Sequence, residues 1–135
     1  MISPTGKGIR QADKWGRGAY GASRDKGNRK HKGTDYVCEP GQNVVAPITG
    51  IIRREARPYA DPDWLYRYSG LVIENENVSI KMFYLEPMRH LIDKRVRMGD
   101  TIGIAQKISD KYPDMIDHVH LQIDSVNPEI FMGMI

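Results

Sequence analysis

Three of the four histidines in this chain stand in patterns that could hold a metal ion. His31 and Asp35 form His-x-x-x-Asp. His118 and His120 form His-x-His within Asp117-His118-Val119-His120-Leu121-Gln122-Ile123. On a strand, alternation sends both imidazoles of His-x-His to one side and Val119, Leu121 and Ile123 to the other. The four-residue spacing of His31 and Asp35 puts them on one face of either a helix or a strand. Gly33 and the β-like run Thr34–Val37 favour extended or turn backbone. Two imidazoles and a carboxylate suffice for a catalytic zinc site, which takes three protein ligands and leaves a fourth position for water or substrate. Either pattern alone is more often structural than metal-binding; together, flanked by strands, they point to a metal. Gln122 shares the strand face of the two histidines and is a candidate to hold a ligand imidazole from outside, with Asp117 and Asp124 as alternatives. His90, beside Arg89, reads as a surface histidine, and Cys38 as a small buried hydrophobe.

Positioning such groups requires strands, and the chain supplies them. From Asp35 onward short apolar runs alternate with turn signals, the mark of a β-rich domain. The predicted strands are Thr34–Val37, Asn43–Ala46, Gly50–Arg54, Leu71–Glu74, Val78–Leu85, Thr101–Ala105 and His118–Ile123. Asn75 and Asn77 mark a hairpin turn. The segment Arg57–Ser69 reads as a long loop holding Pro58, Pro62, Tyr59, Trp64, Tyr66 and Tyr68, aromatics that either line a binding groove or seal the core edge. A short helix is expected over Glu86–Lys94. Residues 1–30, broken by glycines, read as a loop with one short turn, ordered by packing of Trp15 and Tyr20 on a domain spanning 31–135.

Composition narrows the class. The 135 residues are 40% hydrophobic and 27% charged, ordinary for one soluble globular domain. A single cysteine excludes an intrachain disulfide. No apolar run reaches the ~20 residues needed to span a bilayer, so no membrane span is expected. The N-terminus lacks the apolar stretch of a signal peptide, so synthesis in the cytoplasm is expected. The net charge of +3 is uneven: residues 1–33 carry nine Lys/Arg against two Asp, and the remainder eleven against fifteen acidic residues. A basic arm on a mildly acidic body suits an anionic partner such as a cell-wall polymer, or is simply a solvated segment. No helix-turn-helix, zinc-finger or RNA-binding aromatic signature accompanies it, so nucleic acid is not the expected partner.

Four ordered motifs carry a resemblance. His31-Lys32-Gly33-Thr34-Asp35, Val44-Val45-Ala46-Pro47-Ile48-Thr49-Gly50, Val96-Arg97-Met98-Gly99-Asp100-Thr101-Ile102-Gly103 and His118-Val119-His120 resemble, in order and spacing, the lysostaphin-type (LytM) zinc metallopeptidases. The segments Asp13–Tyr20, Lys81-Met82-Phe83-Tyr84 and Tyr112-Pro113 are similar to the leukocyte-derived chemotaxin two-like subfamily, whose animal members are secreted and disulfide-bonded. With Cys38 alone, this chain resembles a disulfide-free version.

The resemblance implies a mainly β, antiparallel domain of the lysostaphin type (a duplicated hybrid motif) with long loops around a groove. It implies Zn2+ bound by His31, Asp35 and His120, with His118 as the base for the attacking water. It further implies hydrolysis of peptidoglycan stem peptides or cross-bridges, in the manner of a monomeric lysin acting at the bacterial cell wall after release or on a phage particle. Enzymes of that family usually carry one more histidine where this chain has Tyr84. A phenol there can donate a hydrogen bond to an oxyanion, but with an ordinary pKa near ~10 it is no base at neutral pH. The chemotaxin relatives share this change and are regarded as zinc-binding but not proteolytic. The alternative reading is therefore a non-catalytic zinc-binding recognition module.

Overall fold

The computed structural model describes residues 1–24 and 29–127. Eleven strands are present among them: β1 (Ser23–Arg24), β2 (Arg29–Lys30), β3 (Thr34–Val37), β4 (Asn43–Val45), β5 (Gly50–Ala56), β6 (Gly70–Glu74), β7 (Val78–Phe83), β8 (Leu85–Pro87), β9 (Arg95–Val96), β10 (Thr101–Ala105) and β11 (His118–Val126). Every pairing is antiparallel. A six-stranded sheet runs β3-β11-β7-β6-β5-β9, a three-stranded sheet runs β4-β10-β8, and β1-β2 form a ribbon. No helix among the described residues is long and apolar enough to cross a membrane.

Alternation places the core as the sequence demands. Ile80 and Met82 of β7 and Val119 and Leu121 of β11 turn inward, joining Ile52, Leu71 and Ile73 from the large sheet and Val44, Leu85 and Ile102 from the small one. These side chains are almost wholly withdrawn from water, each stabilising the fold by roughly 1.5–3 kcal/mol relative to exposure. The opposite face of β11 is thereby free to carry His118 and His120. The β6–β7 turn closes as expected: the Asn75 carbonyl Oδ1 accepts the amides of Asn77 and Val78 at 2.9 and 3.1 Å.

Strands β1, β2 and β9 form where no strand was expected, and two predicted elements differ from expectation. The strand predicted over Val78–Leu85 breaks at Tyr84, whose φ of 73° is left-handed. There the chain leaves the large sheet and enters the small one, so β7 and β8 are separate strands in separate sheets. The Tyr84 amide donates to the Ser69 carbonyl at 2.8 Å, and the Tyr84 carbonyl accepts the Gln106 amide at 3.0 Å, so the turn is fixed from both sides. The helix expected over Glu86–Lys94 is absent. Leu85 and Pro87 pair instead with Ala105 and Gly103 of β10, and only a 3-10 turn forms at Arg89–Leu91. Pro87 fits because β8 is an edge strand, where a missing amide costs no ladder bond.

The N-terminal segment lies along the outer edge of β3. Ile9 bridges Tyr36, Arg10 and Asp35 are joined by their backbones at 2.8 Å, and the Asp35 amide donates to the Gly18 carbonyl at 2.8 Å. An edge that would otherwise expose unpaired amides is thus covered. Trp15 packs on the body as expected, with its indole N–H donating to the Pro113 carbonyl at 2.9 Å. Tyr20 does not: it is 76% exposed, because Gly21 turns the chain with a φ of 78°.

The crossover between sheets makes a prediction. A Cβ added to Gly70 would run into the Met82 carbonyl oxygen and the backbone of Phe83, and neither can yield without parting β6 from β7. Gly70→Ala is expected to destabilise the fold by about 3 kcal/mol, the upper part of the usual range for overpacking, read as a lowered urea midpoint with unchanged slope.

Candidate metal centre

Strand register explains why residues 85 positions apart meet. His120 of β11 stands directly opposite Asp35 of β3, and their side chains project on the same face. His31 reaches the same point from the segment before β3. The three donor atoms form a nearly equilateral triangle: His31 Nε2 to Asp35 Oδ1 3.1 Å, His120 Nδ1 to Asp35 Oδ1 3.0 Å, and His31 Nε2 to His120 Nδ1 3.1 Å. A tetrahedral ion with ligands at ~2.0–2.1 Å holds its donors ~3.3 Å apart, so the triangle needs almost no adjustment to take one.

The hydrogen bonds around the triangle say which atoms carry lone pairs. Gln122 donates through Nε2 to Asp124 at 2.7 Å, which fixes its amide and turns Oε1 toward His120 Nε2 at 3.3 Å. That oxygen can only accept, so His120 carries its proton on Nε2 and presents a bare Nδ1. The His31 Nδ1 proton goes to the Ala19 carbonyl at 3.1 Å, leaving Nε2 bare. Two imidazole lone pairs and a carboxylate oxygen therefore face one another, an arrangement that is repulsive until a positive centre stands between them. The outer partners on both rings are those that metal-ligating histidines need. Gly33 makes room: a Cβ there would come within 2.6 Å of His120 Cε1.

Asp35 is buried, 2% exposed. Its outer oxygen, Oδ2, accepts from Arg10 through Nε at 3.2 Å and Nη2 at 3.0 Å. Arg10 is itself 2% exposed. Through Nη1 it also donates to Asp13 at 2.7 Å and to the Gly16 carbonyl at 2.9 Å.

His118 lies beside the triangle rather than in it. Its Nδ1 donates to the Ile116 carbonyl at 2.8 Å, which leaves Nε2 as an acceptor 3.5 Å from Asp35 Oδ2. Burial pushes its pKa down against the pull of Asp35, favouring the neutral ring. Tyr84 sets its ring edge-on to His118 with centroids 5.3 Å apart. Its hydroxyl lies 3.2 Å from that of Tyr59, which donates to the Tyr112 hydroxyl at 3.3 Å. Burial pushes the Tyr84 phenol up to about 12, with the Tyr59 hydrogen bond opposing.

Residues from the Arg57–Ser69 loop thus border the site. The Lys111 ammonium sits 4.8, 4.8 and 4.6 Å from the ring centroids of Tyr59, Trp64 and Tyr112, a cation–π arrangement that ties this loop to the segment before β11. Tyr68 is buried, with its hydroxyl donated to the Lys107 carbonyl, whereas Tyr66 is 79% exposed. The loop both seals the core edge and supplies a surface.

Sequence patterns therefore brought together His31, Asp35 and His120, with His118, Tyr84 and Gln122 beside them. Asp117 is engaged by Ser109, and Asp124 takes the Gln122 amide on one oxygen and faces the Lys81 ammonium at 3.6 Å with the other. His90 is exposed and Cys38 buried; burial pushes the Cys38 thiol up to about 12. Arg10 and Asp13 were missed. Their one signal is an opposite charge pair three residues apart, and in a glycine-broken segment that spacing has no helical meaning.

Comparison with known proteins now defines the class. The solution structure of lysostaphin superposes with a TM-score of 0.57 at 16% identity over 91% of this chain, which spans about half (49%) of that structure. A crystal structure of a mutant catalytic domain of a prophage-encoded protein from Enterococcus faecalis superposes with a TM-score of 0.50 at 18% identity, covering 90% of this chain and 89% of that one. The architecture is that of lysostaphin-type domains. No protein-family model matches the sequence. Bovine (Bos taurus) leukocyte cell-derived chemotaxin-2 is 30% identical over 125 residues, 92% of this chain and 79% of the relative. The chain belongs to the leukocyte cell-derived chemotaxin-2 family.

With Zn2+ as the probe, calorimetric titration is expected to give one ion per chain. His120→Ala abolishes that uptake, while Gln122→Ala weakens it ~10–100-fold, the usual cost of losing an outer partner to a ligand imidazole.

Proposed function

We propose that this chain is a zinc-binding recognition module of the chemotaxin type, which presents a metal-centred surface to a ligand without cutting it. Zinc is the ion that two imidazoles and one carboxylate at this spacing suit best, since they supply three ligands and leave one position for an outside group. The observation that carries the reading is Tyr84. The lysin-type motif places a histidine where this chain has a phenol, and the bovine and mouse relatives that match 92% of its length are chemotaxins. A phenol pushed up to about 12 donates a hydrogen bond but takes no proton at neutral pH. Tyr84 packs against His118 and His120, its hydroxyl continues through those of Tyr59 and Tyr112, and Lys111 adds an ammonium over the Tyr59 and Tyr112 rings. These groups suit a polar, anionic ligand, and the excess of cations in residues 1–33 extends the same preference. A cell-wall polymer of the peptidoglycan kind is the partner we propose.

One observation favours the second reading, a peptidoglycan endopeptidase. His118 has its Nδ1 anchored and its Nε2 free to accept, beside the metal triangle, which is the placement a general base for metal-activated water needs. Zinc would supply the Lewis acid, His118 would take the water proton, and Tyr84 would donate to the oxyanion.

Incubating the zinc-loaded protein with isolated sacculi separates the two. The recognition reading expects the protein to pellet with the sacculi, with fewer molecules bound after zinc removal and no new amino termini released. Release of amino termini that disappears in His118→Ala overturns it in favour of the peptidase.

A further inference from the structure

We infer that residues 9–20 form a strap coupled to the metal centre, in which Arg10 and Asp13 are positioning residues, so that strap docking and ion binding strengthen one another. The inference rests on the metal reading of His31, Asp35 and His120 and assigns a role to residues outside that set.

The strap fixes three of the four residues at the centre. The Arg10 guanidinium holds Oδ2 of Asp35 with two N–H groups, which turns Oδ1 toward the imidazoles. The Ala19 carbonyl takes the His31 Nδ1 proton and so sets the tautomer that leaves Nε2 bare. Asp13 reaches His118 through one intermediary: its Oδ2 accepts the Ile116 amide at 2.9 Å, and the Ile116 carbonyl accepts His118 Nδ1. Asp13 stays ionised for this work. Burial opposes its charge, but the amides of Ile116 and Trp15 and the Arg10 cation outweigh that. Arg10 joins both branches, because Asp13 Oδ2 and Asp35 Oδ2 share its guanidinium.

Fit is tight along this path. A Cβ on Gly18 would lie 2.6 Å from Arg10 Cβ and 2.9 Å from Asp35 Cβ, so the strap can lie this close only with glycine there. The guanidinium fork cannot be copied by lysine, a point charge on a flexible stem that has too few fixed donors for two carboxylates and a carbonyl.

Coupling follows from charge. With the strap docked, Asp35 is oriented and the imidazole lone pairs converge. The ion removes the repulsion that would drive those groups apart, and with it the force that would loosen Asp35 and His31 from the strap. By linkage, the factor by which docking raises ion affinity equals the factor by which the ion favours docking.

The test uses the full chain. In wild type, Zn2+ is expected to slow hydrogen exchange at the Arg10 and Gly18 amides at least tenfold, with no like change at the Asn75–Val78 turn. Arg10→Lys and Asp13→Asn are expected to lose ~10–100-fold in zinc affinity, while Lys14→Ala, on the exposed side of the strap, keeps it. A merely structural strap would lower stability in these variants and leave zinc affinity untouched, which overturns the inference. Should either variant fail to fold, the wild-type exchange measurement decides alone: zinc bound with strap exchange unchanged overturns it. If wild type takes up no zinc, the metal reading falls and this inference falls with it.

Discussion

The arrangement of this molecule depends on one buried cation held between two carboxylates. Arg10 lies in the first tenth of the sequence and is almost fully withdrawn from water, bridging Asp13 and Asp35. Burying a guanidinium is costly unless its donors are all used, and removing one partner of such a pair leaves an uncompensated charge at a cost of about 3–5 kcal/mol. The protein accepts that constraint at the point where it does the most positional work. A carboxylate with one oxygen pinned by a fork of N–H groups has the other oxygen aimed, and that aimed oxygen is the apex of the donor triangle.

The second constraint is β11. This strand pairs with β3 on one side and β7 on the other, so His120 faces both Asp35 and Phe83 across the ladders. Its inward residues Val119 and Leu121 are core, and a one-residue slip would exchange them with the histidines. The hydrophobic effect therefore sets the register, and the register sets the metal site. The site needs no dedicated scaffold: the burial that stabilises the sheet also places the imidazoles.

Much of this was legible in the sequence, for a physical reason. His-x-His on an alternating strand and His-x-x-x-Asp before another encode direction locally, so only the pairing of the two strands had to be supplied. The break at Tyr84 was not read, although it left a trace. Ile80 and Met82 keep a period of two, but the next buried residue is Leu85, three positions on, and one continuous strand cannot present both to the same core. That phase slip marks the crossover between sheets. The lost helix at Glu86–Lys94 has the same origin, since pairing of Leu85 and Pro87 with β10 overrides a weak local preference. Arg10 and Asp13 left only their charge pair as a trace, because their roles arise from tertiary contacts of a segment without periodicity with Asp35 and Ile116.

Tyr84 connects fold and chemistry in a way that bears on the difference between a lysin and a recognition module. It occupies the residue where the chain passes from β7 to β8 and changes sheets, in a left-handed conformation that costs an L-residue roughly 1–2 kcal/mol, held by its amide donating to the Ser69 carbonyl and its carbonyl accepting the Gln106 amide. The crossover aims whatever side chain sits there at His118. A histidine in that place would give the centre a second imidazole able to move protons. A tyrosine gives it a donor tied through Tyr59 to Tyr112, and so to the loop caged around Lys111. The same backbone turn can thus carry either side chain, and an ion held by His31, Asp35 and His120 would face a proton relay with histidine there and a fixed hydrogen-bonding surface with tyrosine.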